Sequence, residues 1–149
     1  MRHVKFVLYA DDDTDDKDWV AEACTVVDAT LQLVFVENGR QVLDYLSQQA
    51  ENVFPSLIVL DLNMPELDGR QTLKQLKTHP RYQAIPVAIV TTSTNRIDQD
   101  VCQKLGASLF LSKPASHTEW QSVIRHFIPL LAWFCKDMRF WKSIAGDIF

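Results

Sequence analysis

The stretch LIVLDLNMPELDG, residues 57–69, joins an entirely apolar run to a polar turn that ends in glycine. The run Leu57–Leu60 contains only branched aliphatic side chains, which is typical of a β-strand covered on both faces. Asp61 follows this run directly, and Gly69 indicates a helix boundary. The stretch therefore predicts a buried strand that delivers an acidic side chain to one edge of a sheet.

Similar apolar runs recur before and after this stretch. They predict strands at Lys5–Ala10, Leu31–Val36, Leu57–Leu60, Val87–Val90 and Ser108–Leu111. Between them, apolar residues recur at helical spacing, in the sets Trp19/Val20/Ala23/Cys24/Val27, Val42/Leu43/Leu46, Leu73/Leu76, Ile97/Val101/Leu105 and Trp120/Val123/Ile124/Phe127/Ile128/Leu131. Because parallel strands need crossover connections, five strand–helix units predict an α/β fold, a doubly wound five-stranded parallel sheet with helices on both faces.

No linker rich in Gly, Ser or Pro divides the 149 residues. We expect one domain at 1–131 and a short C-terminal extension at 132–149. Pro129 is expected to kink or restart the last helix. The extension is unusually aromatic and is predicted to be helical. It either covers its own domain or packs against another chain, so a homodimer is one possibility.

Composition excludes several classes of protein. The net charge of -4, with no dense Lys/Arg cluster, argues against a nucleic-acid binder. Three distant cysteines without a CxxC pair suggest neither a zinc site nor a disulfide framework. The first residues do not fit a secretory signal, and no apolar stretch approaches the roughly 20 residues of a membrane span. We expect a cytoplasmic protein with no membrane association.

Polar residues follow the predicted strands where each strand ends. They are Asp11 and Asp12 after the first, Asp61 after the third, Thr91 after the fourth and Lys113 after the fifth. Ligands bind at this edge of such sheets, so we expect the five side chains to gather there. Two carboxylates about 4 Å apart repel by roughly 4 kcal/mol at an effective dielectric near 20. A divalent cation with oxygen ligands would remove that repulsion, and Mg²⁺ is the cation that fits best.

Four blocks, VLYADDDTDD, IVLDLNMPELDG, IPVAIVTTSTN and GASLFLSKP, resemble the response-regulator receiver domain of two-component signalling, the CheY-like family. They occur in the family's order and at its spacings, and the resemblance covers residues 4–131. It implies a receiver domain at 1–131 with the flavodoxin-like strand order 2-1-3-4-5. Because only a short tail follows, the resemblance implies the single-domain type, without a DNA-binding output domain.

The resemblance also implies roles for the acidic residues. Asp61 matches the phosphoacceptor, which forms an aspartyl phosphate. Asp11 and Asp12 match the acidic pair that binds Mg²⁺ together with Asp61, with Mn²⁺ as a possible substitute. Asn63 matches the residue whose backbone carbonyl completes the metal site.

Three further residues match the family's switch and its phosphoryl contact. Thr91 matches the hydroxyl that turns toward the phosphoryl group, and Phe110 replaces the switch aromatic, which is often Tyr. Lys113 matches the lysine that contacts the phosphoryl oxygens. The bond between Lys113 and Pro114 is often cis in the family.

The function implied is that of a stand-alone response regulator. The donor would be a phosphohistidine on a sensor histidine kinase or a histidine phosphotransfer protein. The output would be altered protein–protein contacts with a downstream protein that the sequence does not identify. Self-catalysed phosphorylation and dephosphorylation of Asp61 are expected. A receiver-fold scaffold that phosphorylation does not regulate is the alternative. Turnover of an external phosphate ester ranks last, because no substrate pocket or separate general acid is suggested.

The acidic run after the first strand has other interpretations. Acidic residues favour helix N-termini, so we assign 15–18 to a helix start and Asp11 and Asp12 to the site. A calcium-binding EF-hand loop would need a glycine where Asp16 stands. A haloacid-dehalogenase motif would need Thr or Val where Asp15 stands. Neither rival fits as well as the receiver resemblance.

Overall fold

The computed structural model describes residues 6–50 and 53–135, and for residues 132–135 it describes the backbone only. Its elements alternate as predicted. In chain order they are β1 (Phe6–Ala10), α1 (Thr14–Val27), β2 (Gln32–Val36), α2 (Gly39–Ser47), β3 (Leu57–Leu60), α3 (Gly69–Thr78), β4 (Val87–Thr91), α4 (Arg96–Leu105), β5 (Leu109–Ser112), a 3₁₀ turn (His117–Glu119) and α5 (Trp120–Cys135).

The five strands form one parallel sheet in the order β2-β1-β3-β4-β5, which confirms the predicted fold class and strand order. Ala10, the last residue of β1, is in register with Leu60, the last residue of β3, and with Val36 of β2. The chain leaves these neighbouring strands at the same level. The residues that follow them therefore share one edge of the sheet.

The core consists of two apolar layers, one on each face of the sheet. One layer packs α1 and α5 against it, with Trp120 and Phe127 of α5 buried there. The other packs α2, α3 and α4, with Leu46 and Leu73 buried. All residues of β3 and β4 are buried, as expected for central strands covered on both faces.

Two predicted helix stripes are partly wrong. On α1, Val20 and Cys24 are buried, but Trp19 is 36% exposed. On α4, Ile97 and Val101 are 69% and 38% exposed, and Cys102 is the buried residue. Spacing of four residues shows that side chains share a helix face, but neighbouring elements decide whether that face is covered. Here Ile97 and Val101 share a face that is open to solvent.

Helix α5 runs continuously from Trp120 to Cys135 with Pro129 inside it, so the predicted restart at proline is wrong. Proline removes one helical hydrogen bond, but buried side chains on both sides of it hold the helix on the sheet. The Lys113–Pro114 bond is trans, contrary to the family tendency, and trans is the lower-energy isomer before proline as well.

Some predictions fall beyond the described residues. The start of the first predicted strand at Lys5 and the extension from 136 to 149 are among them. Within the described ranges, no helix has the length and apolar character needed to cross a bilayer. Cys24 and Cys102 are buried free thiols, as expected for small core residues.

Candidate functional site: an acidic cluster around a buried lysine

The backbone holds Asp11 and Asp61 side by side at the carboxyl edge of the sheet. The Asp11 N–H donates to the Val36 carbonyl at 3.0 Å, and the Asp61 N–H donates to the Ala10 carbonyl at 3.1 Å. These bonds extend the sheet ladder by one residue past β1 and β3. Both side chains therefore start from rigid, neighbouring backbone positions.

The β3–α3 loop folds tightly behind Asp61. The Gly69 N–H donates to the Leu62 carbonyl at 3.1 Å, and a Cβ at Gly69 would lie 2.3 Å from the Asp61 carbonyl oxygen. Only glycine lets α3 begin this close to the strand end. The Asn63 N–H donates to Asp61 Oδ1 at 3.2 Å and orients the carboxylate.

Three carboxylates converge at this edge. Oxygen atoms of Asp11, Asp12 and Asp61 all lie within 4.8 Å of one another. Asp11 and Asp61 are buried, whereas Asp12 is exposed at the mouth of the cluster. Burial raises the pKa of Asp11 to about 6, and the Asp13 N–H and the Lys113 ammonium offset only part of this effect.

Lys113 supplies the positive charge of the cluster. Its N–H donates to the Thr91 carbonyl at 2.9 Å, which extends the β4–β5 ladder and sets the direction of the side chain. The ammonium Nζ lies 2.8 Å from Asp61 Oδ2 and 2.9 Å from Asp11 Oδ2, with the side chain only 8% exposed. Burial lowers the pKa of this group, but the surrounding carboxylates outweigh burial and raise it above 10.5.

Asp16 is a member of the cluster that the sequence analysis missed. Its Oδ2 lies 2.6 Å from Lys113 Nζ in a contact with hydrogen-bond geometry. The acidic start of α1 is real, since Asp13 caps the helix and accepts from the N–H groups of Asp15 and Asp16. The sequence did contain a signal for this position, however. Asp16 precedes Val20 by four residues, and this helical spacing places both on the inward face of α1.

Of the two predicted switch residues, Thr91 lies next to this cluster, since its carbonyl accepts from the Lys113 N–H. Thr91 ends β4 and is fully buried, and its hydroxyl accepts from the Ser93 N–H at 3.3 Å. The Ser93 hydroxyl donates to Asp98 Oδ2 at 2.7 Å, and Arg70 Nε donates to Asp98 Oδ1 at 2.9 Å. A chain of polar contacts thus runs from the predicted switch hydroxyl to the start of α4. Phe110, on β5, is half-buried.

The residues present fit a divalent cation. Asp11 Oδ2 is buried and, despite its ion pair with Lys113, has no hydrogen bond within the described part of the chain. It belongs to the group of three carboxylates whose oxygens converge. Hard oxygen donors, few in number and open to solvent on one side at Asp12, are the ligand set that suits Mg²⁺ or Mn²⁺.

Residues 7–125 match the family described as the response regulator receiver domain. The chain belongs to this family. Response regulator Rcp1 of Synechocystis is 33% identical over 112 residues, which are 73% of this chain and 76% of Rcp1. Response regulator Rre1 of the same organism is 31% identical over 91 residues, which are 61% of this chain but 38% of Rre1.

Solved receiver structures are similar in shape as well. The phosphorylated cyanobacterial phytochrome response regulator RcpA is 28% identical, with a TM-score of 0.75 over 83% of this chain and 90% of RcpA. The Mn²⁺-bound form of Rcp1 is 30% identical, with a TM-score of 0.72 over 83% of this chain and 91% of Rcp1. These findings confirm the predicted family and fold. Receiver domains bind Mg²⁺ or Mn²⁺ in an acidic pocket and interact with histidine kinases or phosphotransfer proteins.

Proposed function

We propose that this receiver domain accepts a phosphoryl group on Asp61 from a phosphohistidine, in a reaction that requires Mg²⁺. The donor is a sensor histidine kinase or a histidine phosphotransfer protein, and the signal leaves through altered protein–protein contacts. The observation that carries the proposal is the single cluster in which Asp61 Oδ2 lies 2.8 Å from Lys113 Nζ and beside Asp11 and Asp12.

The chemistry follows from the carboxylate itself. An Asp61 oxygen attacks the phosphorus, the P–N bond to the donor imidazole breaks, and the imidazole nitrogen leaves with the bonding electron pair. The product is an acyl phosphate that water hydrolyses to restore Asp61. Phosphoryl transfer asks the protein mainly for positioning and charge stabilisation. In this function the protein catalyses phosphorylation and dephosphorylation of its own Asp61. It does not turn over an external substrate.

The residues of the cluster divide this task. Asp11, Asp12 and Asp61 would hold the cation through side-chain oxygens, and the Asn63 backbone carbonyl is proposed as a further ligand. A bound Mg²⁺ would neutralise negative charge on the phosphoryl oxygens. Lys113, whose ammonium is already within 3 Å of Asp61, stabilises another phosphoryl oxygen as a point charge.

The output is proposed to start at Thr91. Its movement toward the phosphoryl group would withdraw the hydroxyl from the Ser93 N–H and reshape the β4–α4 loop. A cleft of about 290 Å³ between this loop and β5 has Phe110 in its wall, so the ring has space to shift. Ile97 and Val101, exposed on α4 beside the loop, are apolar side chains that a partner could cover.

Beryllofluoride with Mg²⁺ tests the proposal, because it mimics a phosphoryl group on aspartate. Calorimetric titration should show binding to the wild type and none to Asp61→Asn. Incubation with phosphoramidate and Mg²⁺ should add the mass of one phosphoryl group to the wild type alone. Asp68→Asn, at the half-buried N-cap of α3, is a control that should keep both activities. A mass gain that persists in Asp61→Asn would overturn the site, and no binding by the wild type would favour an unregulated scaffold.

Cytoplasmic localisation and homodimer formation stay predictions. So does the division of the chain into a receiver domain at 1–131 and an aromatic extension at 132–149.

A further inference from the structure

Asp16 contacts the proposed catalytic lysine but lies outside the group of carboxylates that converges for a cation. Its carboxylate is 2.6 Å from Lys113 Nζ, the shortest of the three carboxylate contacts of that ammonium. The converging group consists of Asp11, Asp12 and Asp61. Asp16 therefore serves a different purpose from the other acidic residues.

The ammonium has three hydrogens and lies within 3 Å of three carboxylates, and its contact with Asp16 has hydrogen-bond geometry. During the proposed reaction, Asp61 would become the acyl phosphate, and Asp11 would be one of the residues that hold the cation. Both partners change, and one hydrogen of Nζ must go to a phosphoryl oxygen. Asp16 is the remaining partner, which neither binds the cation nor accepts the phosphoryl group in this reaction.

Asp16 is also rigidly placed. It lies in the first turn of α1, which Asp13 caps, and the residue is only 7% exposed. Lys113, by contrast, extends from the end of β5 on a flexible four-carbon stem that loses rotamer entropy when fixed. A fixed carboxylate at the end of this stem removes that cost before the phosphoryl group arrives.

From these contacts we infer that Asp16 is a positioning residue, which holds Lys113 Nζ beside Asp61 and thereby raises the affinity of the site for a phosphoryl group. This inference rests on the proposed function, since it assigns a task within the same reaction. It also makes a prediction that simple electrostatics does not. Removing a negative charge should by itself favour an incoming anion, whereas loss of positioning should weaken its binding.

The test is a double-mutant cycle on beryllofluoride affinity at saturating Mg²⁺. Asp16→Asn should bind beryllofluoride about tenfold more weakly than the wild type, as expected for one hydrogen bond between charged groups. Asp15→Asn is the matched control, because it removes the same charge from the same helical turn at an exposed position. It should bind as tightly as the wild type or slightly more tightly.

The second half of the cycle uses Lys113→Ala. If Asp16 acts through the lysine, adding Asp16→Asn to Lys113→Ala should change beryllofluoride affinity less than twofold. The ¹H–¹⁵N signal of the Lys113 ammonium gives a reading independent of phosphoryl chemistry. We expect this signal to be visible in the wild type and Asp15→Asn and to be broadened by exchange in Asp16→Asn.

The outcomes separate the two claims. Unchanged beryllofluoride binding in Asp16→Asn, or an equal loss in the Lys113→Ala background, would overturn the positioning role and leave the proposed function intact. Absence of binding in the wild type would overturn both. If Asp16→Asn lowers thermal stability too far, Asp16→Glu keeps the charge but moves the oxygen, and wild-type affinity in that variant would also refute positioning.

Discussion

The Asp61 carboxylate lies 2.8 Å from the Lys113 ammonium, although β4 separates the two strands that these residues follow. The contact spans the carboxyl edge of the sheet, across the end of β4. The side chains are only 8% and 7% exposed, for Lys113 and Asp61 respectively, so their charges interact in a medium of lower dielectric than water. Four properties of this cluster and of the loops beside it can be measured.

Asp11 is expected to destabilise the metal-free fold at neutral pH. Its pKa is raised from 3.8 to about 6, so the folded protein holds this proton more tightly than the unfolded chain does. Ionisation then costs stability as pH rises from about 4 to 6, and the full penalty, about 3 kcal/mol, is present above that range. Asp11→Asn should therefore unfold at higher urea concentration than the wild type at pH 7 in EDTA.

At pH 4 the same measurement should give similar stabilities for Asp11→Asn and the wild type, because Asp11 is then largely protonated in the folded protein. Asp12→Asn, at the exposed mouth of the cluster, should gain much less stability over the wild type at pH 7 than Asp11→Asn does. Equal stability of Asp11→Asn and the wild type from pH 4 to 7 would contradict the burial penalty.

Lys113→Ala is expected to have the opposite effect. The ammonium is the positive partner of three nearby carboxylates, and removing one partner of a buried ion pair costs about 3–5 kcal/mol. The pKa of Lys113 is raised, so deprotonation of the ammonium removes its contribution only at pH values above 10.5. Urea denaturation without metal should show this loss at pH 7 and a smaller one at pH 4, where Asp11, whose pKa is raised to about 6, is protonated.

Added Mg²⁺ should reduce the deficit of Lys113→Ala, since the cation supplies charge to the same group. Lys104→Ala, on the exposed side of α4, controls for loss of a lysine elsewhere and should stay near wild-type stability. A Lys113→Ala protein as stable as the wild type at pH 7 in EDTA would refute the role of the ammonium as counter-charge.

Gly69→Ala is expected to destabilise the protein despite the better helix propensity of alanine. The added Cβ would meet the Asp61 carbonyl oxygen at 2.3 Å and the Leu62 Cα at 2.8 Å, and backbone cannot rotate away as a side chain can. We expect a loss of about 1–3 kcal/mol, typical of overpacking, together with weaker beryllofluoride binding. Urea denaturation measures the loss of stability, and titration with beryllofluoride measures the loss of affinity. Lys74→Ala, on the exposed surface of α3, is the neutral control.

Asp98→Asn is expected to loosen the β4–α4 loop. Hydrogen bonds from Arg70 and Ser93 lower the pKa of Asp98, so its stabilising contribution is present above the usual carboxyl range and is lost as pH falls through the lowered value. At pH 7 the variant should lose about 1 kcal/mol, the scale of a well-formed surface ion pair. Hydrogen exchange of the Ser93 amide should accelerate in Asp98→Asn and stay unchanged in Asp100→Asn, an exposed control on the same helix.

Local sequence determines some features of the fold and site, and contacts between distant residues determine others. Strand β3 and its Asp61 were predictable, because four consecutive branched residues followed by a polar turn favour a buried strand in almost any context. The inward turn of Asp16 was harder, since a run of aspartates also suits a helix N-terminus. The exposed face of α4 at Ile97 was not predictable from spacing, which is the same for a covered and an uncovered stripe.

The amino-acid sequence by itself determined the alternation of strands and helices and which oxygen-bearing side chains follow each strand, because both depend on near neighbours in the chain. Tertiary structure alone decided that Asp16 turns toward Lys113 beside Asp11 and Asp61, and that Ile97 faces solvent. Those outcomes depend on which strands lie side by side and which helices cover them. Such contacts join residues far apart in the chain, and no local pattern encodes their distances.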